Sequence, residues 1–328
     1  MDQLLGRLRD GLAAGDPTAV SEALNLVDDQ RPARRRAALE LLDQVSRFPQ
    51  SHSARRVGIT GAPGAGKSTL LNALVDALRE QDQKIGVIAV DPSSQRSGGA
   101  LLGDRMRLGA SAREQGVFLR SMAARDRLGG LADATRAGAA VMSAVFDWVF
   151  IETVGVGQSE GEVAQLVDTL VFVAQPGAGD MLQFMKAGIL ELPDLFVVNK
   201  ADTGPVARRT QSELIAGLDL GTAPSAGQWV APVLLASAQD RQGVEAVVDS
   251  LMAHRQHLEE SNQLSPKRQA GALRFAIESL RRRYGDFGLS QIGGAAGVES
   301  RLRESPTESP FRTVLEVGQE IESALIRP

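Results

Sequence analysis

The chain contains no cysteine. That excludes disulfides, thiolate metal sites and a cysteine nucleophile, and it favours the cytoplasm as compartment. Histidine is scarce: His52, His254 and His257 are the three in 328 residues. A cluster of soft or borderline metal ligands has little to be built from. Neither sign of charge dominates. The formal net charge is −4, so no global basic field points to nucleic acid. No apolar run approaches the length of a membrane span. Met1–Arg7 lacks a basic segment followed by an apolar core, so no signal peptide is expected. No internal repeat is visible. What is present is the composition of a soluble globular protein, 43% hydrophobic. The length suits one large or two ordinary domains.

The chain falls into three stretches. Residues before about 50 read as helices. Leu4, Leu5, Leu8 and Leu12 share one helix face. Asp16-Pro17 is an N-cap followed by proline at the first helical position, opening a second helix through Val20, Leu24 and Val27. Pro32 opens a third, with Leu39, Leu42 and Val45. The middle stretch alternates strand-like and helix-like runs. Its strands are Val57–Thr60, Ile85–Val90, Gly116–Arg120, Trp148–Glu152, Thr169–Ala174, Leu195–Val198 and Val233–Ala236. Most are continuous apolar runs, as strands buried on both faces should be. The alternation predicts a mostly parallel sheet flanked by helices, with ligands beyond the carboxyl ends of its strands. The last stretch holds two amphipathic helices. One carries Leu273, Ile277, Leu280 and Tyr284 and ends in Arg281-Arg282-Arg283; the other carries Phe311, Val314, Leu315, Ile321 and Leu325. The glycine-rich run 285–297 between them reads as a mobile link. Their apolar stripes need cover, from the domain's own flank or from a second subunit.

Gly61-Ala62-Pro63-Gly64-Ala65-Gly66-Lys67-Ser68-Thr69 follows the first strand and precedes an amphipathic helix. It fits the pattern G-x-x-x-x-G-K-[ST]. Glycines let the backbone turn sharply and aim N–H groups at phosphate oxygens. The helix start adds its positive dipole end. Lys67 supplies a point charge for the β- and γ-phosphates, and the Ser68 hydroxyl is placed to ligate Mg²⁺. Asn199-Lys200-Ala201-Asp202 follows the strand Leu195–Val198. This N-K-x-D order reads guanine: a carboxylate at Asp202 accepts from N1–H and the exocyclic amine, a pair that adenine lacks. Asn199 contacts the base or braces the loops, and the Lys200 stem lies along the ring. Ser237 and Ala238 after the last strand match a short S-A element that supports guanine.

Glu152 ends the fourth strand, where an acidic residue holds Mg²⁺ directly or through water. Gly155 is then the γ-phosphate sensor, and Gln158 has the chemistry to position a water. Asp91, at the end of the second strand, serves the Mg²⁺ shell or the attacking water. Asp104 is a second carboxylate candidate there, or a helix N-cap. Arg105 and Arg107 bind phosphate or are solvated. His254 and His257, one turn apart, form a metal pair or a solvated helix face.

Together these residues resemble the MeaB/ArgK family of G-protein chaperones of adenosylcobalamin-dependent acyl-CoA mutases. The resemblance is carried by Gly61–Thr69, Val90–Ser94, Gly98–Arg105, Glu152–Glu160, Pro176–Asp180 and Asn199–Asp202. It implies a SIMIBI-class P-loop GTPase fold: an N-terminal helical extension (1–50), a GTPase domain (51–260) and a C-terminal helical arm (261–328) that makes a homodimer. It implies GTP or GDP and Mg²⁺ as ligands, slow hydrolysis stimulated by the partner, and a mutase of the methylmalonyl-CoA type as that partner. It assigns phosphate and Mg²⁺ contacts to Gly64–Thr69, and it puts Asp91, Asp104 and Glu152 around the Mg²⁺ and the water. It assigns guanine to Asn199, Lys200 and Asp202, and an extra switch loop to 177–186. The sequence departs from the family pattern in that loop, where Phe184, Met185 and Ala187 replace a Gly, an Ile and a basic residue. The tail after Gly285 also matches poorly. Two other readings stand beside this one: a metallochaperone-type GTPase, and a P-loop kinase or ATPase linked to amino-acid transport. N-K-x-D argues against the second, because it favours GTP over ATP.

Overall fold

The apolar runs of the middle stretch form one sheet. The computed structural model describes residues 2–29, 31–92, 116–124, 133–153, 159–177, 191–219, 227–304 and 309–326. Its strands are β1 (Arg55–Gly61), β2 (Ile85–Pro92), β3 (Val117–Ala124), β4 (Trp148–Glu152), β5 (Thr169–Ala174), β6 (Leu195–Val198) and β7 (Val233–Leu235). They lie in the order β3-β2-β4-β1-β5-β6-β7, and every pair is parallel. All seven predicted strands are present, with ends shifted by a few residues.

Helices cover both faces, which is why the strands carry no polar side. They are α1 (Asp2–Ala13), α2 (Pro17–Asp28), α3 (Pro32–Ser46), α4 (Pro49–Ser53), α5 (Lys67–Arg79), α6 (Asp133–Ser143) and α7 (Ser159–Ala164). Then come α8 (Pro205–Asp219), α9 (Val244–Glu260), α10 (Leu264–Ser290), α11 (Gly294–Glu304) and α12 (Pro310–Ile326). Strand β4 shows the two-residue period. Trp148 and Phe150 join a core with Leu70, Leu71, Leu74 and Leu78 of α5 and Val247 and Leu251 of α9. Val149 and Ile151 join the opposite core, with Leu5, Leu8 and Leu12 of α1, Leu24 of α2, Leu41 of α3 and Met142 of α6. The N-terminal helices thus share a core with the sheet. The predicted cap at Asp16 is formed: its carboxylate accepts from Thr18 N at 3.0 Å and Ala19 N at 3.2 Å. Such a cap contributes about 1 kcal/mol.

The amino-terminal end of the sheet is closed by charge. Asp168, 2% exposed, accepts two parallel bonds from the Arg268 guanidinium, both at 2.7 Å. It also accepts from Arg255 at 3.2 Å and from the Arg56 backbone N–H at 3.1 Å. Burial pushes the Asp168 carboxyl up, and the bonds from Arg268 and Arg56 outweigh it, holding it below the usual carboxylate range. Arg268 donates further to Ala54 O at 2.7 Å and His52 O at 2.9 Å. The carbonyls at the end of α4 are thereby satisfied by side chains of α9 and α10.

The C-terminal stretch differs from its sequence reading. The run 285–297 is no mobile link. Helix α10 turns at Gly285 (φ 67°) and continues to Ser290, and α11 starts at Gly294. Glycine serves close packing here: a Cβ on Gly288 would stand 2.4 Å from the Tyr284 Cβ. Leu280, Leu289, Val298, Val317 and Ile321 form a core of their own, with Leu273, Ile277, Tyr284 and Val314 packed against it. Much of the two apolar stripes is therefore covered within the chain, while Leu325 stays exposed. Helix α12 returns to α3, where Asp43 accepts from Ser309 N at 2.9 Å and from Arg312. The arginine run is held by carboxylates: Arg281 by Asp286, Arg282 by Asp133 and Arg283 by Glu322. Among the described residues, no helix is long and apolar enough to cross a membrane.

Candidate functional site

The predicted motifs gather at the carboxyl ends of β1, β4, β6 and β7. Strand β1 runs into the loop at Gly61, and α5 begins at Lys67. Gly61 has φ 136°, and a Cβ there would lie 2.1 Å from Val173 O. Gly66 has φ 87°, and its Cβ would lie 2.4 Å from the Asn199 amide nitrogen. Only glycine fits these two places. Ala62 and Ala65 are buried, so they offer a ligand backbone rather than side chain. Ala65 N–H closes the turn onto Ala62 O at 3.2 Å. Pro63, Gly64 and Thr69 are exposed around the loop.

Lys67 is 7% exposed. Its ammonium donates to Gly61 O at 2.9 Å and Ala62 O at 3.1 Å. The lysine is thus folded along the loop that a phosphate chain would follow. Ser68 donates from Oγ to Glu152 Oε1 at 2.6 Å. Glu152 stands at the end of β4, paired with Ile59 of β1 and Ala89 of β2. A hydroxyl and a carboxylate in contact beside a helix start form a hard-oxygen donor set, which suits Mg²⁺. Asp91 lies two residues beyond Ala89 on the same strand, opposite Ala123. Asp104, Gly155, Gln158 and 178–186 lie outside the described residues.

The N-K-x-D segment is fastened to the phosphate loop. Asn199, 2% exposed, donates to Ala65 O at 3.0 Å and Gly66 O at 3.3 Å. Its carbonyl accepts from Ala238 N at 3.2 Å. Of the two roles open to Asn199, the bracing role is the one on view. Lys200 takes a left-handed conformation (φ 58°) and donates to Gly64 O at 2.8 Å. Asp202 sits in the short turn Ala201–Thr203, with Oδ1 accepting from Ser237 Oγ at 3.0 Å. One polar network thus spans the phosphate end and the base end.

Sequence reading missed two members of this network. Asp240 Oδ2 lies 2.9 Å from Ser237 Oγ. Arg241 donates to Glu80 at 2.9 Å, tying the loop after β7 to the far end of α5. The only sequence signal was a Ser-x-x-Asp spacing inside a turn. His254 also differs from both readings offered for the histidine pair. It is 2% exposed, lies 2.8 Å from Thr169 Oγ1 and 3.4 Å from Asp194, and meets the Trp229 ring at a tilt of 52°. It is a satisfied core residue. Among the described residues no group of three or more His, Cys, Asp or Glu side chains is placed to hold a metal ion.

The family described as methylmalonyl Co-A mutase-associated GTPase MeaB matches residues 20–284. A Pyrococcus abyssi protein named as a GTPase is 42% identical over 273 residues, covering 82% of this chain and 80% of its own. The mitochondrial methylmalonic aciduria type A homolog of Mus musculus is 36% identical over 278 residues, covering 81% of this chain and 67% of its own. A solved structure described as a LAO/AO transport system kinase superposes with a TM-score of 0.70 at 26% identity, over 98% of this chain and 99% of that one. With the phosphate loop in place at the carboxyl end of a parallel sheet, the chain belongs to the MeaB family and is a P-loop GTPase.

Proposed function

We propose that this GTPase is a guanine-nucleotide switch serving an adenosylcobalamin-dependent acyl-CoA mutase of the methylmalonyl-CoA type. In this reading it gates cofactor loading and protects or reactivates the mutase. The observation that carries the nucleotide half is the fastening of Asn199 and Lys200 onto the phosphate loop, with Asp202 held by Ser237. A base read by Asp202 and phosphates held by Gly61–Thr69 then bind as one unit. Support for the mutase half comes from the family description, which names methylmalonyl-CoA mutase.

Ser68 and Glu152, with Asp91 and Asp104, are the residues proposed to hold Mg²⁺. The ion supplies charge neutralisation for the β- and γ-phosphates. Lys67 shares that task by turning from the Gly61 and Ala62 carbonyls to the phosphate oxygens. Glu152 accepts from Ser68 and so orients its hydroxyl. Gly155 senses the γ-phosphate, and its release on hydrolysis passes the nucleotide state outward. The protein acts in the cytoplasm as a homodimer. The C-terminal helical arm is the proposed dimer surface, and Phe287 and Leu325 are the large apolar side chains it leaves exposed.

Steady-state turnover of GTP and ATP, with and without purified mutase, tests the proposal. GTP turnover should be slow alone and rise with mutase concentration, because pre-positioned charge supplies most of the catalysis in phosphoryl transfer. Equal turnover of ATP would overturn the base reading. A flat response to every adenosylcobalamin-dependent mutase of the source organism, with binding verified, would overturn the switch.

A further inference from the structure

The Ser237 side chain lies between two carboxylates. Its Oγ is 3.0 Å from Asp202 Oδ1 and 2.9 Å from Asp240 Oδ2. A hydroxyl has one proton to donate. At any moment the hydroxyl donates to one carboxylate, and the other faces the oxygen without that bond. Ser237 is fully buried, and the two carboxylates reach it from the exposed side. The turn that carries Asp240 is fixed at both ends. Ser237 and Gln242 exchange backbone bonds at 2.9 and 3.0 Å, and Arg241 pairs with Glu80. Asp240 N–H points back at Ser237 Oγ, 3.4 Å away. Asp240 therefore competes for the Ser237 proton from a held position.

We infer that Asp240 is a positioning residue for guanine. It competes for the Ser237 hydrogen bond and so leaves Asp202 more of its acceptor capacity for a base edge with two N–H donors. The idea rests on Asp202 as the base-reading residue and adds a second carboxylate that never touches the base. Without Asp240, the Ser237 hydroxyl donates to Asp202 alone. One acceptor site is then occupied, and the guanine amine loses most. Inosine, which lacks that amine, loses less.

The test is calorimetric titration of the full chain with GTP and with ITP in Mg²⁺ buffer. Asp240 is exposed, so its variants should melt like the parent. Asp240→Asn and Asp240→Ala should each weaken GTP by about threefold to tenfold, the scale of one hydrogen bond. ITP should weaken less, so the GTP-to-ITP ratio shrinks. In a Ser237→Ala background, Asp240→Asn should add nothing, because its route to Asp202 is gone. Asp202→Asn is the control for the underlying reading and should collapse the ratio by itself. A ratio unchanged by Asp240→Asn but collapsed by Asp202→Asn would overturn the role of Asp240 alone. A ratio unchanged by Asp202→Asn would overturn the base reading and this inference with it. An Asp240→Asn effect that persists without Ser237 would also overturn it.

Discussion

Lys67 shows how one side chain stands between two uses. It is nearly buried, yet its ammonium touches loop carbonyls that need no cation for the fold. In the proposed function, the charge placed there serves a phosphate chain. Lys67→Ala should weaken triphosphate binding by about tenfold to a hundredfold, the range for a charge-assisted bond of about 1.5–3 kcal/mol. Calorimetry with GTP checks this, and normal binding would refute it. The melting temperature should move little, since α5 is held by Leu70, Leu71, Leu74 and Leu78. The loop between β1 and α5 was legible in the sequence because G-x-x-x-x-G-K-[ST] fixes residue type at fixed spacing. Asp240 was not legible, because its meaning depends on which two carboxylates share one hydroxyl.

At the scale of elements, packing decided what the sequence could show. The strands were readable because a parallel strand covered on both faces must be apolar throughout. The stretch 285–297 was misread because its glycine content argues locally for a loop. Tertiary contact overrides that preference, since Gly288 and Gly318 admit the Tyr284 ring between α10 and α12. His254 was misread because its partners lie on β5 and just before β6. Its burial carries a pH signature. Burial pushes its imidazole down from 6.5 to about 4. The unfolded chain then takes a proton first as pH falls. Stability should be full above about pH 6.5 and decline between 6.5 and 4, levelling off below. The total loss from this group is on the order of 3 kcal/mol. Urea midpoints across that range check it. His254→Gln should flatten the decline; an unaltered pH profile in that variant would refute the assignment.

At the scale of the molecule, the C-terminal stretch belongs to the sheet it follows. Arg268 and Lys267 reach back to Asp168 and Asp194. Cutting the chain after residue 260 would leave Asp168 buried without its bidentate partner. Breaking a buried pair from one side costs about 3–5 kcal/mol. The shortened chain should therefore melt well below the full chain even with GTP present. A truncated chain as stable as the parent, by calorimetry, would show that Asp168 needs only Arg255 and Arg56. The Asp168 cluster has one more consequence, for synthesis. Its members come from residues 52–56, 168, 255 and 268, so it is a contact of long sequence separation. A chain leaving the ribosome in order displays its whole P-loop long before Arg268 emerges. Nucleotide-binding parts are thus made first and the seal of the sheet last. The nascent GTPase must stay unfinished until almost the entire protein has been translated.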